Sequence, residues 1–277
     1  MKTRFPRFSC PAILSLCLTL CAALILAAPF ASAQDWAKQK LDKSPRHQEW
    51  VKVTYGSRTV NAFVVYPEVS QKAPVVLLIH EIFGLSDWAR SMADDIAAMG
   101  YIVIAPDLLS GAGPNGGGTS AFPDMQAVIK AISGLNPETI TADLNATADY
   151  ALKFPAANGQ LAVVGFCWGG GQSFRFATVR KGLSAAFVFY GPPPSDVTGI
   201  TAPVHGFYGS NDERITATVP ATKDAMAAAG KNYNAVTYAG AGHGFMRAGE
   251  DPADTNPANV TARDEGLKQL EMLLKGM

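Results

Sequence analysis

Apolar residues along this chain gather in short runs bounded by glycine, proline and polar turn signals, at 60–66, 75–80, 101–105, 161–166, 185–190, 204–208 and 235–238. Several of these runs are apolar throughout, the signature of strands buried on both faces. Between them, segments 88–99, 137–154, 169–180, 216–229 and 262–274 read as helices. Strands and helices alternating in this way predict an α/β fold, a mostly parallel central sheet flanked by helices. Asn136-Pro137-Glu138-Thr139 reads as a helix start, with proline in the first turn and a carboxylate at the positive helix end. Segment 110–120 (SGAGPNGGGTS) breaks the pattern. It carries five glycines and no apolar side chain larger than alanine or proline, so it predicts a surface loop that contributes no core element. Two readings of it stand, a lid over a site or a plain flexible insertion.

The first 33 residues follow a different rule. Lys2, Arg4 and Arg7 precede an apolar run ending in Ala31-Ser32-Ala33, which predicts a secretory signal peptide cut after Ala33. A retained anchor is the competing reading, against which stand the small-residue cleavage site and the polar Gln34-Asp35. A lipid anchor at Cys21 is disfavoured because Leu20 stands where a small residue is wanted. The chain is therefore expected to be exported, periplasmic or secreted, with no membrane contact after cleavage. Removing the leader's 33 residues and three basic side chains from the total of 277 residues and 23 Lys+Arg leaves 244 residues, with 20 Lys+Arg against 23 Asp+Glu. That length suits one large domain, 34–277, expected to act as a monomer. The charge balance offers nothing to nucleic acid.

Three of the four cysteines, Cys10, Cys17 and Cys21, lie in the leader, and only Cys167 remains in the mature chain. A lone thiol in an oxidising compartment is a liability unless it is buried or employed. Its setting argues for employment. Gly165-Phe166-Cys167-Trp168-Gly169 is a glycine-x-nucleophile-x-glycine elbow, placed at the turn between a predicted strand and a predicted helix. Asp212 follows the run 204–208, and His243 lies in Gly242-His243-Gly244-Phe245, so the order is nucleophile, acid, histidine, as in α/β hydrolases. His243 can take the thiol proton, and Asp212 can fix the imidazole tautomer and support the imidazolium. The Trp168 N–H is one candidate oxyanion donor, and the loop after run 75–80 offers the Ile82 N–H as the second. Glu81, beside that donor, is expensive to bury unless it bonds something there.

Taken together, His80-Glu81-Ile82-Phe83-Gly84, Pro106-Asp107-Leu108, the cysteine elbow with Gly170, Asn211-Asp212 and Gly242-His243-Gly244-Phe245-Met246-Arg247 resemble the dienelactone hydrolase (carboxymethylenebutenolidase) family over nearly the whole mature chain. The resemblance implies an α/β-hydrolase fold and a Cys167-His243-Asp212 triad that opens a lactone or activated ester through a thioester acyl-enzyme. It further implies that Glu81 contacts the resting thiol until substrate displaces it, and that Arg247 binds a substrate carboxylate. A solvated surface arginine is the other reading of Arg247. A second carboxylate-binding arginine of the family has no counterpart here, since Leu109-Ser110-Gly111 occupies its region, so the fold and nucleophile carry over better than the substrate. His80 reads as a packed structural histidine, and His47 and His205 likewise. No metal spacing is present and no cofactor is expected. The expected partner is a small-molecule lactone or ester. Two other readings remain, a non-catalytic ligand-binding protein on a hydrolase scaffold and a redox-sensing thiol without a resolving partner.

Overall fold

The computed structural model describes residues Gln34–Met277, which form one compact unit; the expected signal peptide, 1–33, lies outside the described residues. Its elements run α1 (Asp35–Asp42), β1 (Gln48–Tyr55), β2 (Arg58–Val65), β3 (Ala73–Ile79), α2 (Asp87–Ala98), β4 (Ile102–Pro106), α3 (Met125–Ser133), α4 (Pro137–Ala151), β5 (Ala157–Phe166), α5 (Trp168–Val179) and β6 (Ala185–Phe189). They continue through β7 (Val204–Gly209), α6 (Glu213–Thr216), α7 (Val219–Ala228), β8 (Tyr233–Tyr238), α8 (Phe245–Ala248) and α9 (Pro257–Lys275). The eight strands form one sheet in the order β1-β2-β4-β3-β5-β6-β7-β8. Only the β1–β2 and β2–β4 pairs are antiparallel, and every pair from β4 to β8 is parallel.

The inner strands are apolar on both sides because both sides are covered. In β3, Val76 and Leu78 pack with Trp88, Met92 and Ile96 of α2 on one face. Val75, Leu77 and Ile79 pack with Ile140, Leu144 and Ala148 of α4 on the other. The buried positions Ile140, Leu144, Ala148 and Ala151 recur at three- and four-residue spacing, which gives α4 a single apolar stripe. Its start is the one expected, with the Thr139 N–H donating to the Asn136 side chain and Pro137 in the first turn.

Each predicted strand and helix is present, with ends shifted by up to five residues. The expectation missed β1, where only Val53 is buried, because an edge strand with most side chains wet carries little apolar signal. The short helices α1, α3, α6 and α8 were missed as well. α9 begins at Pro257, five residues ahead of the expected start, capped by Asn256, which accepts from the Ala258 N–H.

Candidate active site

The site lies at the carboxyl ends of β3, β5 and β7 and in the loop after β8. At the end of β5 the chain turns so sharply into α5 that Cys167 takes φ 55° and ψ −119°, a left-handed conformation that costs a non-glycine residue roughly 1–3 kcal/mol. Its neighbours explain why it is held. A Cβ on Gly165 would strike the backbone of Gly169, and one on Gly169 would strike the carbonyls of Ile79 and His80. Glycine at both positions lets strand, elbow and helix close on one another. The Cys167 N–H is taken up by the Phe189 carbonyl at 3.0 Å.

Three side chains drawn from separate loops meet at this elbow. His243 Nε2 lies 3.1 Å from Cys167 Sγ, and His243 Nδ1 lies 2.5 Å from Asp212 Oδ2. An acceptor-only carboxylate at Nδ1 assigns the proton there, so Nε2 accepts from the thiol. Asp212 is held beside the imidazole by its position after β7, where the Asn211 N–H bonds the Ala241 carbonyl at 2.9 Å. The loop carrying His243 is pinned in turn by Asn259 of α9, whose Oδ1 accepts from the Gly242 N–H at 2.9 Å.

The sulfur also sits against two backbone donors, the N–H groups of Trp168 and Ile82. Burial pushes the Cys167 thiol up to about 11, with the Glu81 charge acting in the same direction. The two N–H groups and the positive charge of Arg214 pull it down without prevailing. At neutral pH the resting group is therefore the thiol.

Glu81 is buried, and burial raises its carboxyl above the ordinary range, against the pull of Arg247. No hydrogen bond joins it to the sulfur, although its charge acts on the thiol. Its oxygens go instead to Arg247 Nε at 2.9 Å and to the Tyr190 hydroxyl at 3.4 Å. Arg247 is thus no free surface cation. It is paired with Glu81 and lies over the ring of Phe83 with Cζ 5.1 Å from the centroid. His80 is fully buried, accepts from the Leu108 N–H at Nε2, bonds the Glu81 carbonyl through Nδ1 and stacks on Trp168. Burial lowers its pKa, so it packs as a neutral ring.

The structure brings Cys167, His243, Asp212, Glu81, Ile82, Trp168 and Arg247 into one site. It adds Tyr190, which the sequence places before a Gly-Pro-Pro-Pro segment open to two readings, a stiff turn alone or a wall of the pocket. Tyr190 is buried with φ 39°, its hydroxyl faces Glu81, and its ring meets His243 edge-on at 5.2 Å. The side chains of Ile82 and Trp168 pack on an apolar cluster of Leu109, Val128 and Ile132, so the segment around α3 backs both backbone donors.

The model of the dienelactone hydrolase family matches residues 60–275. A relative in Salmonella typhimurium, provisionally named a carboxymethylenebutenolidase, is 31% identical over 228 residues, covering 76% of this chain and 80% of its own. The protein named carboxymethylenebutenolidase 1 in Cupriavidus pinatubonensis is 27% identical over 224 residues, covering 78% of this chain and 94% of its own. Among solved structures, a provisionally named dienelactone hydrolase from Klebsiella pneumoniae superposes with a TM-score of 0.72 at 24% identity, covering 84% of this chain and 99% of that one. A hyperthermophilic esterase from Pyrobaculum calidifontis matches with a TM-score of 0.63 at 14% identity, covering 88% of this chain and 90% of that one. These structural likenesses show the α/β-hydrolase fold.

Proposed function

We propose, for a chain that belongs to the dienelactone hydrolase family and is a hydrolase of lactones or esters, that Cys167 is its nucleophile, His243 its acid and base, and Asp212 the group that orients the imidazole. The observation that carries this reading is the unbroken line Asp212 Oδ2, His243 Nδ1, His243 Nε2, Cys167 Sγ at 2.5 and 3.1 Å.

His243 Nε2 takes the thiol proton as sulfur attacks the substrate carbonyl carbon. The carbonyl oxygen becomes an oxyanion that accepts from the Trp168 and Ile82 N–H groups, donors already fixed by the elbow and the loop after β3. The carbon–oxygen bond breaks, the leaving oxygen receives the proton from His243, and a thioester on Cys167 remains. Water then gives a proton to His243 and its oxygen to the thioester carbon. As the carbon–sulfur bond breaks, that proton returns to the sulfur, releasing the carboxylic acid and the thiol.

A thiol held at about 11 is a poor nucleophile at rest, and Glu81 is part of the reason. In our reading the Glu81–Arg247 pair is a gate. A substrate carboxylate that engages Arg247 competes with Glu81 for the guanidinium, the Glu81 charge is displaced from the thiol, and the thiol proton passes to His243 Nε2. A neutral ester leaves the Glu81–Arg247 pair in place, so it is expected to turn over more slowly than a lactone that carries a carboxylate. The leader read in residues 1–33 supports a setting outside the cytoplasm for this chemistry, in the periplasm or the medium.

The test is turnover of p-nitrophenyl acetate and of dienelactone by the mature protein and by Cys167→Ser. We expect wild-type turnover of at least one substrate, a Cys167 thioester visible by mass spectrometry after acid quench, and a rate at least about 10³-fold lower in Cys167→Ser. Turnover that survives Cys167→Ser would sink the nucleophile assignment. Tight ligand binding without turnover would favour a binding protein.

A further inference from the structure

The glycine-rich segment after β4 does not hang free over the site. Its far end is tied by hydrogen bonds to the loop that carries Glu81 and the Ile82 N–H, and the tie runs through a buried carboxylate that the chemistry above leaves unused. Asp107, the residue after β4, is held to the sheet by its own N–H, which donates to the Asn61 carbonyl at 2.8 Å. Its side chain is buried and accepts three donors: the Thr119 N–H at Oδ2, 2.7 Å, the Thr119 hydroxyl at Oδ1, 2.7 Å, and the Leu109 N–H at Oδ1, 3.1 Å. Thr119 Oγ1, its proton committed to Asp107, accepts from the Leu85 N–H at 3.1 Å.

The turn that receives this contact is the one after β3. The Gly84 N–H bonds the Glu81 carbonyl at 3.1 Å, and Gly84 has φ +71°. Thr119 lies so close that a Cβ on Gly84 would collide with its side chain, and a Cβ on Gly118 would collide with the Asp107 carboxylate. Two glycines therefore make room for one threonine to sit between two loops. Without Thr119, the segment from Ile82 to Leu85 would keep its links at His80 and lose its distal anchor.

We propose that Thr119 is a positioning residue for hydrolysis: through Asp107 and the Leu85 N–H, it holds the turn that aims the Ile82 N–H at the oxyanion and sets Glu81 beside Cys167. This inference rests on the reading of Ile82 as an oxyanion donor, and it makes 110–120 a strap rather than a lid. Displacing a preorganised donor by a fraction of an ångström weakens transition-state binding more than substrate binding, so the loss should appear in kcat.

The experiment compares wild type, Thr119→Val, which keeps the shape and removes the hydroxyl, and Thr119→Ser, which keeps the hydroxyl. Two measurements are made: p-nitrophenyl acetate kinetics, and amide hydrogen exchange of the peptide spanning Ile82 to Leu85. In Thr119→Val we expect kcat to fall roughly tenfold to a hundredfold with KM within about threefold. The Leu85 amide should exchange at least about tenfold faster, and Thr119→Ser should restore both. Unchanged exchange in Thr119→Val overturns the proposal, as does a kcat within twofold of wild type, or a Thr119→Ser variant as impaired as the valine. Exchange is read without turnover, so it judges the tie even if no ester is cleaved. Persistence of activity in Cys167→Ser would remove the nucleophile reading while leaving the Thr119 comparison intact.

Discussion

At Cys167 the backbone and the sulfur answer to different neighbours. The backbone is bent by contact between β5, α5 and the end of β3, which glycines at 165 and 169 permit. The sulfur is governed by burial, by Glu81 and by two N–H groups. Because the Glu81 charge raises the thiol and the N–H groups lower it, neutralising Glu81 should move the thiol pKa below about 11. The sign is unambiguous, since removing a nearby negative charge favours the thiolate. Glu81→Gln is expected to react with iodoacetamide faster than wild type between pH 8 and 10, with the midpoint of the rate profile shifted down. A profile that does not move would assign the elevation to burial alone.

The elements that frame the site are tied together by buried ion pairs at their edges. Asp143 on α4, with a side chain only 1% exposed, accepts from Arg58 Nε and Nη2, each at 2.6 Å, and from the Tyr55 hydroxyl at 2.5 Å. Arg58 also donates to the Ser110 carbonyl at 3.1 Å, and the Asn61 N–H bonds the Ser110 hydroxyl at 2.9 Å. The β1–β2 hairpin thus anchors the near end of the glycine-rich segment, as Thr119 anchors its far end. Removing the cation leaves a buried carboxylate with one hydroxyl partner, which is costly. Arg58→Met should destabilise the fold by about 3 kcal/mol, read as a lower urea midpoint at unchanged slope. A shift equivalent to less than about 1 kcal/mol would mean that water replaces the guanidinium.

On the scale of the whole molecule, the described unit opens with a working element. α1 buries Ala37 and Leu41 in the core face that also holds α2 and α9, Lys40 pairs with Asp95 at 2.6 Å, and Gln34 Oε1 accepts from the Trp88 N–H at 3.1 Å. On the proposed cleavage after Ala33, a chain begun at Gln34 is expected to melt within about a degree of the protein recovered from an export-competent host, whereas deletion through Asp42 should lower Tm by several degrees. Equal Tm values for all three would show that α1 contributes nothing. What the sequence determined by itself was local: the strand and helix periods, the elbow with its glycines, the order of Cys167, Asp212 and His243, and the helix start at Asn136. These are legible because backbone conformation and burial pattern are set by residues a few positions apart. The wet edge strand β1 and the short helices escaped because they bury too little to leave a pattern. Only the tertiary structure decided that Glu81 faces Arg247 rather than the sulfur, that Tyr190 joins them from 109 residues away, and that Thr119 links two loops through Asp107. Those choices depend on which side chains the parallel sheet sets side by side. Strands adjacent in space are distant in the chain, so no local pattern records the pairing.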